Sequence, residues 1–138
     1  MNLRAASSAA LPPTYTVRVI LVVDDEDDVR RFVRRTLEWA GYQVEDAGDP
    51  QDALRVLENT GPDLLLTDIV MPGLDGLKLA AKAHQSHPRL RAIFMTGFAS
   101  QFEQELTGSV CLSKPFTVTA LLSAVEAAIG LPRNKPAG

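Results

Sequence analysis

Residues 63–76 have the sequence DLLLTDIVMPGLDG, and this stretch decides the fold. A short apolar run bounded by turn-forming residues predicts a buried β-strand, and Pro72 and Gly73 then require a turn. Asp68 therefore lies at the carboxyl end of a buried strand and faces a loop. A carboxylate is costly to charge in such a place unless a cation lies close to it. We therefore look in the rest of the chain for residues that lie close to Asp68.

The composition is typical of one globular domain. The chain has 138 residues, of which 46% are hydrophobic and 22% charged, and a net charge of -3 from 17 acids against 14 lysines and arginines. This balance argues against nucleic-acid binding by bulk charge. A single cysteine excludes an internal disulfide and fits a reducing compartment. No apolar run approaches the ~20 residues of a membrane span, so we expect a cytoplasmic protein that does not enter a membrane.

Three segments are expected along the chain. Residues 1–16, MNLRAASSAALPPTYT, lack the continuous apolar core of a signal peptide, and their Ala, Ser and Pro content predicts a disordered extension. A wrongly assigned start codon would give the same appearance. Residues 17–130 form the domain itself, and residues 131–138 form a polar tail.

Apolar stretches alternate with stretches of helical periodicity five times between residues 17 and 130. The predicted strands are residues 17–23, 42–47, 64–67, 91–95 and 109–112. The predicted helices are residues 29–40, 50–59, 77–87, a short weak one at 100–106, and 118–129. Such alternation predicts an α/β fold with a parallel sheet between two helical layers. In its flavodoxin-like form, a (βα)5 three-layer sandwich with strand order 2-1-3-4-5, strands 1 and 3 lie side by side.

Two side-chain expectations concern the first helix. Trp39 lies near its end, where we expect the indole to pack, with contact to a partner protein as the alternative. Four arginines alternate with the apolar positions of this helix and are expected to form a solvated face: Arg30, Arg31, Arg34 and Arg35.

Polar residues follow four of the predicted strands. Asp24 and Asp25 follow the first, Asp68 the third, Thr96 the fourth and Lys114 the fifth. In open α/β sheets, ligands bind outside the carboxyl ends of the strands where the strand order reverses, so these residues are expected in one cleft. Each pair of the three carboxylates would repel by about 4 kcal/mol at ~4 Å and an effective dielectric of 20.

A bound dication would remove this repulsion. Oxygen ligands without histidine or cysteine favour a hard ion, Mg²⁺ or Mn²⁺, which keeps waters and can accept a phosphate oxygen. Lys114 can neutralise a phosphate or pair with Asp68, and Thr96 offers a hydroxyl donor. The chemistry that suits this set is attack by the Asp68 carboxylate on phosphorus, giving an acyl phosphate. The alternative is a strand-end acid with two other acids nearby by accident.

Four stretches resemble the signatures of response-regulator receiver domains, the family of CheY: VILVVDDEDDVR, LLLTDIVMPGLDG, FMTGF and LSKPF. The resemblance runs from about residue 17 to residue 130, in the order and spacing of the family. It implies that Asp68 is the phosphoacceptor and that Asp25 binds Mg²⁺ directly, with Asp24 acting mainly through water. It also implies that the backbone carbonyl of Val70 is a metal ligand.

The same resemblance assigns roles to the residues on the other side of the cleft. Thr96 and Lys114 would bind the phosphoryl oxygens, and the peptide bond between Lys114 and Pro115 would be cis. The donor would be a histidine kinase or a histidine phosphotransfer protein. The chain would not be an enzyme, beyond catalysing its own phosphorylation and dephosphorylation.

The output is expected to be a change of surface that an unknown downstream protein reads. In the family, that surface is formed by the fourth helix, fifth strand and fifth helix, here roughly residues 100–130. No DNA-binding domain is recognisable, and a monomer or weak dimer is expected. The motifs are most similar to stand-alone receivers of the CpdR type, or to receivers fused to hybrid histidine kinases.

One position departs from the family pattern. Three residues before the lysine, where Tyr or Phe is usual and acts as a switch, the chain has Cys111. We expect this cysteine to be a small packing residue, with a redox role as the alternative.

A Mg²⁺-dependent phosphatase of the haloacid-dehalogenase type is the rival function, because it also uses an aspartate nucleophile at a strand end. That class needs a second acid two residues after the nucleophile, where this chain has Val70.

Overall fold

In the computed structural model, which describes residues 17–133, five parallel strands form one sheet. The strands are β1 (Val19–Val23), β2 (Gln43–Ala47), β3 (Leu64–Asp68), β4 (Arg91–Thr96) and β5 (Val110–Ser113). Their order is β2-β1-β3-β4-β5, as predicted for the flavodoxin-like form. The α/β fold class and strand order are therefore confirmed, and β3 lies between β1 and β4.

Within residues 17–133, four α-helices and one 3-10 helix connect or follow the strands. The α-helices are α1 (Asp27–Ala40), α2 (Pro50–Asn59), α3 (Gly76–Ser86) and α4 (Val118–Ile129), and the 3-10 helix is Ala99–Phe102. Side-chain caps fix three of the helix starts, because Asp49, Asp75 and Thr117 each accept a hydrogen bond from a backbone N–H three residues later. Gly41 ends α1 with a φ of 110°, a left-handed conformation that suits glycine.

Strand side chains alternate between the two faces of the sheet and divide the core into two apolar layers. Ile20 and Val22 of β1 belong to the layer that contacts α1 and α4. Leu21 and Val23 belong to the layer that contacts α2 and α3. Every residue of β3 is buried, as expected for the central strand of a three-layer sandwich.

Most of the fourth predicted helix, residues 100–106, is not helical. Only Ala99–Phe102 forms a helical turn, and the chain continues through turns to residue 108. Phe102 and Leu106 pack partly buried against the layer of α2 and α3, while the residues between them are exposed. Two apolar side chains give too narrow a stripe to hold a longer helix against the core.

The expectation for Trp39 is wrong, because its side chain is 81% exposed. Val33 and Leu37 are the fully buried residues of α1 and set the face that contacts the sheet. Trp39 follows Leu37 by two residues, which is about 200° around an α-helix. The indole therefore points away from the core.

Residues 1–16 and 134–138, to which the disordered extension and most of the polar tail were assigned, lie outside the described residues. The start of the tail contacts the sheet: the backbone N–H of Arg18 donates to the carbonyl of Pro132 at 2.8 Å. Val17 and Arg133 form an isolated antiparallel bridge. Within residues 17–133, none of the helices combines the length and apolar content needed to cross a bilayer.

Candidate functional site

Four strand ends bring the five predicted site residues to one edge of the sheet. Asp24 and Asp25 follow β1, Asp68 ends β3, Thr96 ends β4, and Lys114 follows β5. Because β3 pairs with β1 on one side and with β4 on the other, Asp68 lies between the acid pair and the threonine. The predicted convergence of these side chains is therefore present in the fold.

The three aspartates form a compact carboxylate cluster. One oxygen from each of Asp24, Asp25 and Asp68 lies within 4.8 Å of the others. Asp24 is fully buried, Asp68 is 5% exposed and Asp25 is exposed. An all-oxygen set without histidine or cysteine is the donor chemistry that hard divalent cations prefer, and the exposed acid leaves a route for ligand entry. The cluster therefore fits a hard divalent cation.

Lys114 supplies the positive charge that partly offsets this cluster. Its Nζ lies 2.8 Å from Asp24 Oδ2, 3.3 Å from Asp68 Oδ2 and 3.3 Å from Glu26 Oε1. Burial alone would lower the pKa of Lys114, but the hydrogen bond and charge of Asp24, with further help from Asp68 and Glu26, raise it above its usual value. The lysine is therefore charged at neutral pH and held across the cleft from β3.

Burial raises the pKa of Asp68 to about 6, since a desolvated carboxylate is costly to charge. The charge of Lys114 acts in the opposite direction, and the negative charges of Asp24 and Asp25 add to the increase. One lysine thus does not balance the acids that surround it. The charged form of Asp68, at the centre of the cleft, is therefore destabilised.

An open cleft of about 380 Å³ lies above these side chains. Its lining residues are Asp25, Glu26, Asp68, Val70, Thr96, Gly97, Phe98 and Lys114. Val70 and Phe98, which are 47% and 52% exposed, make the rim partly apolar. The volume and openness suit a small group rather than a large buried ligand.

Thr96 is fully buried and links the cleft to β5. Its Oγ1 accepts a hydrogen bond from the backbone N–H of Phe98 at 3.0 Å, which leaves the hydroxyl proton available to another acceptor. Its backbone carbonyl accepts a hydrogen bond from the N–H of Lys114 at 2.8 Å. A shift of the threonine would therefore be transmitted directly to the lysine.

Arg30 supports the site, and the prediction that it lies on a solvated face is wrong. Its side chain is only 19% exposed, and Nη1 donates to the backbone carbonyl of Asp24 at 2.6 Å. Nη2 also donates to Asp27, and Asp46 of β2 lies 3.7 Å from Nε. Gly48 packs closely against this side chain, because a Cβ there would lie only 3.2 Å from Arg30 Nη1. The guanidinium thus fixes the backbone of the acid pair.

Gly76 is a second supporting residue, which the sequence indicated only as part of a turn. A Cβ built there would lie 2.0 Å from the backbone carbonyl oxygen of Asp68 and 3.1 Å from the Cα of Ile69. The start of α3 therefore packs directly against the backbone of Asp68 and Ile69. The pattern DG before a helical stretch was the available signal, but sequence alone does not show a close approach across the fold.

Two further expectations concern the fifth strand and the loop after it. The bond between Lys114 and Pro115 is cis, as the resemblance implied. Cys111 is half-buried in β5 opposite Phe94 of β4, and burial raises the pKa of its thiol. A protonated, packed thiol favours the interpretation as a small packing residue over a redox role.

Comparison with known proteins places the chain among signalling domains. The family model described as "Response regulator receiver domain" matches residues 20–126, a range that contains all the predicted site residues. The response regulator receiver protein CpdR of Brucella abortus (strain 2308) is 39% identical over 111 residues, which are 78% of this chain and 92% of CpdR.

Solved structures show the same relationship in three dimensions. The receiver domain of the hybrid histidine kinase CckA has 36% identity and a TM-score of 0.71, over 80% of this chain and 98% of that one. The response regulator TrrA of Thermotoga maritima, solved in complex with Mg(2+)-BeF, has 26% identity and a TM-score of 0.74, again over 80% and 98%. The similarity is therefore spread over the whole described domain.

Gly76→Ala is expected to lower the free energy of unfolding by at least about 2 kcal/mol, because the added methyl group overlaps the Asp68 carbonyl and forces the backbone apart. Urea unfolding followed by circular dichroism measures the change. The matched control is Gly97→Ala, where a Cβ meets nothing within 4 Å. Equal stability of the two variants would contradict the close contact.

The pKa of Asp68 predicts how stability depends on pH. Its value is about 6 in the folded protein and near 3.8 without the fold, so the folded chain binds more protons between these pH values. The contribution of Asp68 to the free energy of unfolding, measured with a chelator present as the difference between wild type and Asp68→Asn, should therefore fall as pH rises from about 4 to above 6, by as much as about 3 kcal/mol.

Asp68→Asn removes this titration. The variant should be more stable than wild type at neutral pH and lose that advantage near pH ~4. Asp28→Asn, at a side chain that is 98% exposed, serves as the control and should leave the pH profile unchanged. An advantage for Asp68→Asn that is independent of pH would contradict the assignment.

Proposed function

We propose that this chain, which belongs to the response regulator receiver domain family, accepts a phosphoryl group on Asp68 and signals by altered protein binding. The observation that carries this proposal is the position of Asp68. It ends the central strand, its Oδ2 is 3.3 Å from Lys114 Nζ, and it shares a 4.8 Å carboxylate cluster with Asp24 and Asp25. A carboxylate in this setting can act as a nucleophile once a bound cation adds to the charge of Lys114.

The proposed reaction is phosphoryl transfer from a phosphohistidine. A carboxylate oxygen of Asp68 forms the new P–O bond, the P–N bond to the donor breaks, and the imidazole leaves with its electron pair and takes up a proton from solvent. Lys114 Nζ neutralises one phosphoryl oxygen, and the Thr96 hydroxyl donates to another. The buried threonine and the tethered lysine are positioned for this before the donor arrives, so little reorganisation is needed.

We assign a divalent cation, Mg²⁺ or Mn²⁺, to the carboxylate cluster. Asp25, Asp68 and the backbone carbonyl of Val70 would hold it directly, and Asp24 mainly through water. When bound, the ion supplies charge neutralisation for the phosphoryl group. The all-oxygen donor set supports this assignment, and the relative TrrA was solved with Mg(2+)-BeF.

The proposed donor is a histidine kinase or a histidine phosphotransfer protein. The cleft is open and Asp25 on its rim is exposed, so a donor imidazole can approach without a large change of shape. The downstream partner is proposed to be a protein that reads the surface of residues 100–130. We propose a cytoplasmic chain, monomeric or weakly dimeric, whose only chemistry is its own phosphorylation and dephosphorylation.

The phosphatase alternative lacks its general acid. The side chain two residues after Asp68 is Val70, which is apolar and half-exposed at the rim of the cleft. No carboxylate therefore stands where a phosphatase of that type needs a proton donor. The relatives named above are receivers and lend this alternative no support.

Phosphorylation can be tested directly with Mg²⁺ and acetyl phosphate. Intact-protein mass spectrometry should show an increase of about 80 Da, the mass of one HPO₃. Asp68→Asn should abolish the increase, and Asp28→Asn, at an exposed acid outside the cleft, should retain it. A label that survives in Asp68→Asn would refute the assignment of the phosphoacceptor.

The phosphorylated form is expected to be long-lived. Val70 and Phe98 line the cleft two residues after Asp68 and Thr96, and neither side chain can orient an attacking water by hydrogen bonding. Decay of the phosphorylated protein, followed by mass spectrometry after the donor is removed, should therefore take much longer than seconds. Val70→Asn should shorten the lifetime. A half-life of seconds in the wild type would contradict this account.

A further inference from the structure

The peptide group that joins Asp24 to Asp25 lies just beyond the carboxyl end of β1, which is at Val23. The N–H of Asp24 still donates to the carbonyl of Ala47, at 3.2 Å. Within residues 17–133, the hydrogen bond that the carbonyl oxygen of Asp24 accepts comes from a side chain, Nη1 of Arg30, at 2.6 Å. The orientation of this peptide group is therefore set by one guanidinium group rather than by strand pairing.

The two acids that flank this peptide group differ in how their side chains are held. Asp24 is fully buried, and its carboxylate oxygens accept hydrogen bonds from the N–H of Glu26 at 2.9 Å and from Lys114 Nζ at 2.8 Å. Asp25 is exposed, and no hydrogen bond or ion pair with another described residue holds its carboxylate. The direction of the Asp25 side chain therefore depends on its backbone, which begins at the peptide group that Arg30 holds.

The guanidinium group of Arg30 is itself held from several sides. Nη2 donates to Asp27 Oδ1 at 2.7 Å, and Asp46 Oδ2 of β2 lies 3.7 Å from Nε. Gly48 leaves the space that Nη1 occupies, since a Cβ there would lie only 3.2 Å from this atom. A planar fork held at these points has one orientation and loses little freedom when it donates to Asp24.

We propose that Arg30 is a positioning residue for the divalent cation: by holding the carbonyl of Asp24, it directs the Asp25 carboxylate towards Asp68. It acts through the backbone and not by contact with the cation or the phosphoryl group. Groups that orient metal ligands in this way are worth about 10–100-fold in metal affinity. This inference rests on the proposed function, because it concerns the cation that the phosphoryl transfer uses.

A purely electrostatic role of Arg30 would change cation binding in the opposite direction. A guanidinium close to the acid pair repels a dication, so loss of its charge alone should strengthen cation binding. Loss of the hydrogen bond to Asp24 should weaken it. Arg30→Lys keeps the charge but replaces the planar fork with a compact ammonium, which does not reproduce the contacts with Asp24, Asp27 and Asp46 together. Arg30→Gln removes the charge as well.

Isothermal titration of the full chain with Mg²⁺, without a phosphodonor, tests the proposal. Arg30→Lys and Arg30→Gln should each lower the Mg²⁺ affinity about tenfold or more. Arg34→Lys is the matched control, because Arg34 lies one turn further along α1 and pairs with the same Asp46, at 3.1 Å, without bonding to Asp24. Its Mg²⁺ affinity should equal that of the wild type.

Gly48→Ala tests the position of the guanidinium without changing its charge. The added methyl group would displace Nη1 by a few tenths of an ångström, so the Mg²⁺ affinity should fall in the same direction as in Arg30→Lys but by a smaller factor. In amide NMR spectra of the metal-free proteins, the signals of Asp24 and Asp25 should shift in both variants and stay in place in Arg34→Lys.

The Mg²⁺ dependence of labelling by acetyl phosphate separates positioning from loss of the fold. Arg30→Lys should need more Mg²⁺ for half of its maximal rate, yet approach the wild-type rate once Mg²⁺ saturates. A variant that is merely misfolded would stay slow at every Mg²⁺ concentration, which would contradict the proposed role.

Three other results would overturn the proposal: wild-type Mg²⁺ affinity in Arg30→Lys, equal losses in Arg30→Lys and Arg34→Lys, or tighter binding by Arg30→Gln. The last result would give Arg30 a purely electrostatic role. Failure of the proposed function is distinguishable from each of these, because it would appear in the wild type itself as an absence of labelling by acetyl phosphate.

Discussion

The rest of the site depends on one imbalance of charge: the partly buried ammonium group of Lys114 faces more carboxylates than it can neutralise. Lys114 lies within 3.3 Å of oxygens from Asp24, Glu26 and Asp68. This arrangement destabilises the charged form of Asp68, and its pKa is raised by burial and by the neighbouring acids. The same imbalance favours a cation in the cleft and keeps a lysine beside it that could meet an anion. The proposed phosphoryl-transfer site is thus also a site that destabilises the folded chain.

The sequence predicts the sheet and the converging polar residues because both follow from local patterns. Apolar runs ended by turn residues indicate strands, and topology then brings Asp24, Asp25 and Asp68 to one edge. The predictions for Trp39 and Arg30 were wrong because the exposure of both side chains depends on which face of α1 packs against the sheet. For Arg30 it also depends on Asp24 and Asp46, which lie close to it only in the folded chain. The close approach of Gly76 to Asp68 is likewise a long-range contact, for which the glycine itself is the only local signal.

The connection between β4 and β5 begins at one side of the cleft and leads to the strand that ends at the other. Thr96 precedes this segment and Lys114 follows the strand after it, and a backbone hydrogen bond of 2.8 Å joins the two residues. Glu105 and Ser109, within the same connection, line a depression of about 840 Å³ beside α3, β4, β5 and α4. A helix would make the connection a rigid layer, whereas one 3-10 turn and a series of turns hold it with few apolar contacts. The cleft therefore adjoins a segment that is held by few apolar contacts. Cys111, half-buried in β5, packs beside this segment.

The central claim is that two neighbouring strand ends, those of β1 and β3, assemble one carboxylate site for a hard divalent cation. Isothermal titration of the full chain with Mg²⁺, compared with Asp25→Asn, measures this most directly, since Asp25 is exposed and its loss leaves the core intact. The account predicts uptake of one ion by the wild type and a large loss of affinity in the variant. Absence of uptake by the wild type, or equal affinity of the two proteins, would contradict it.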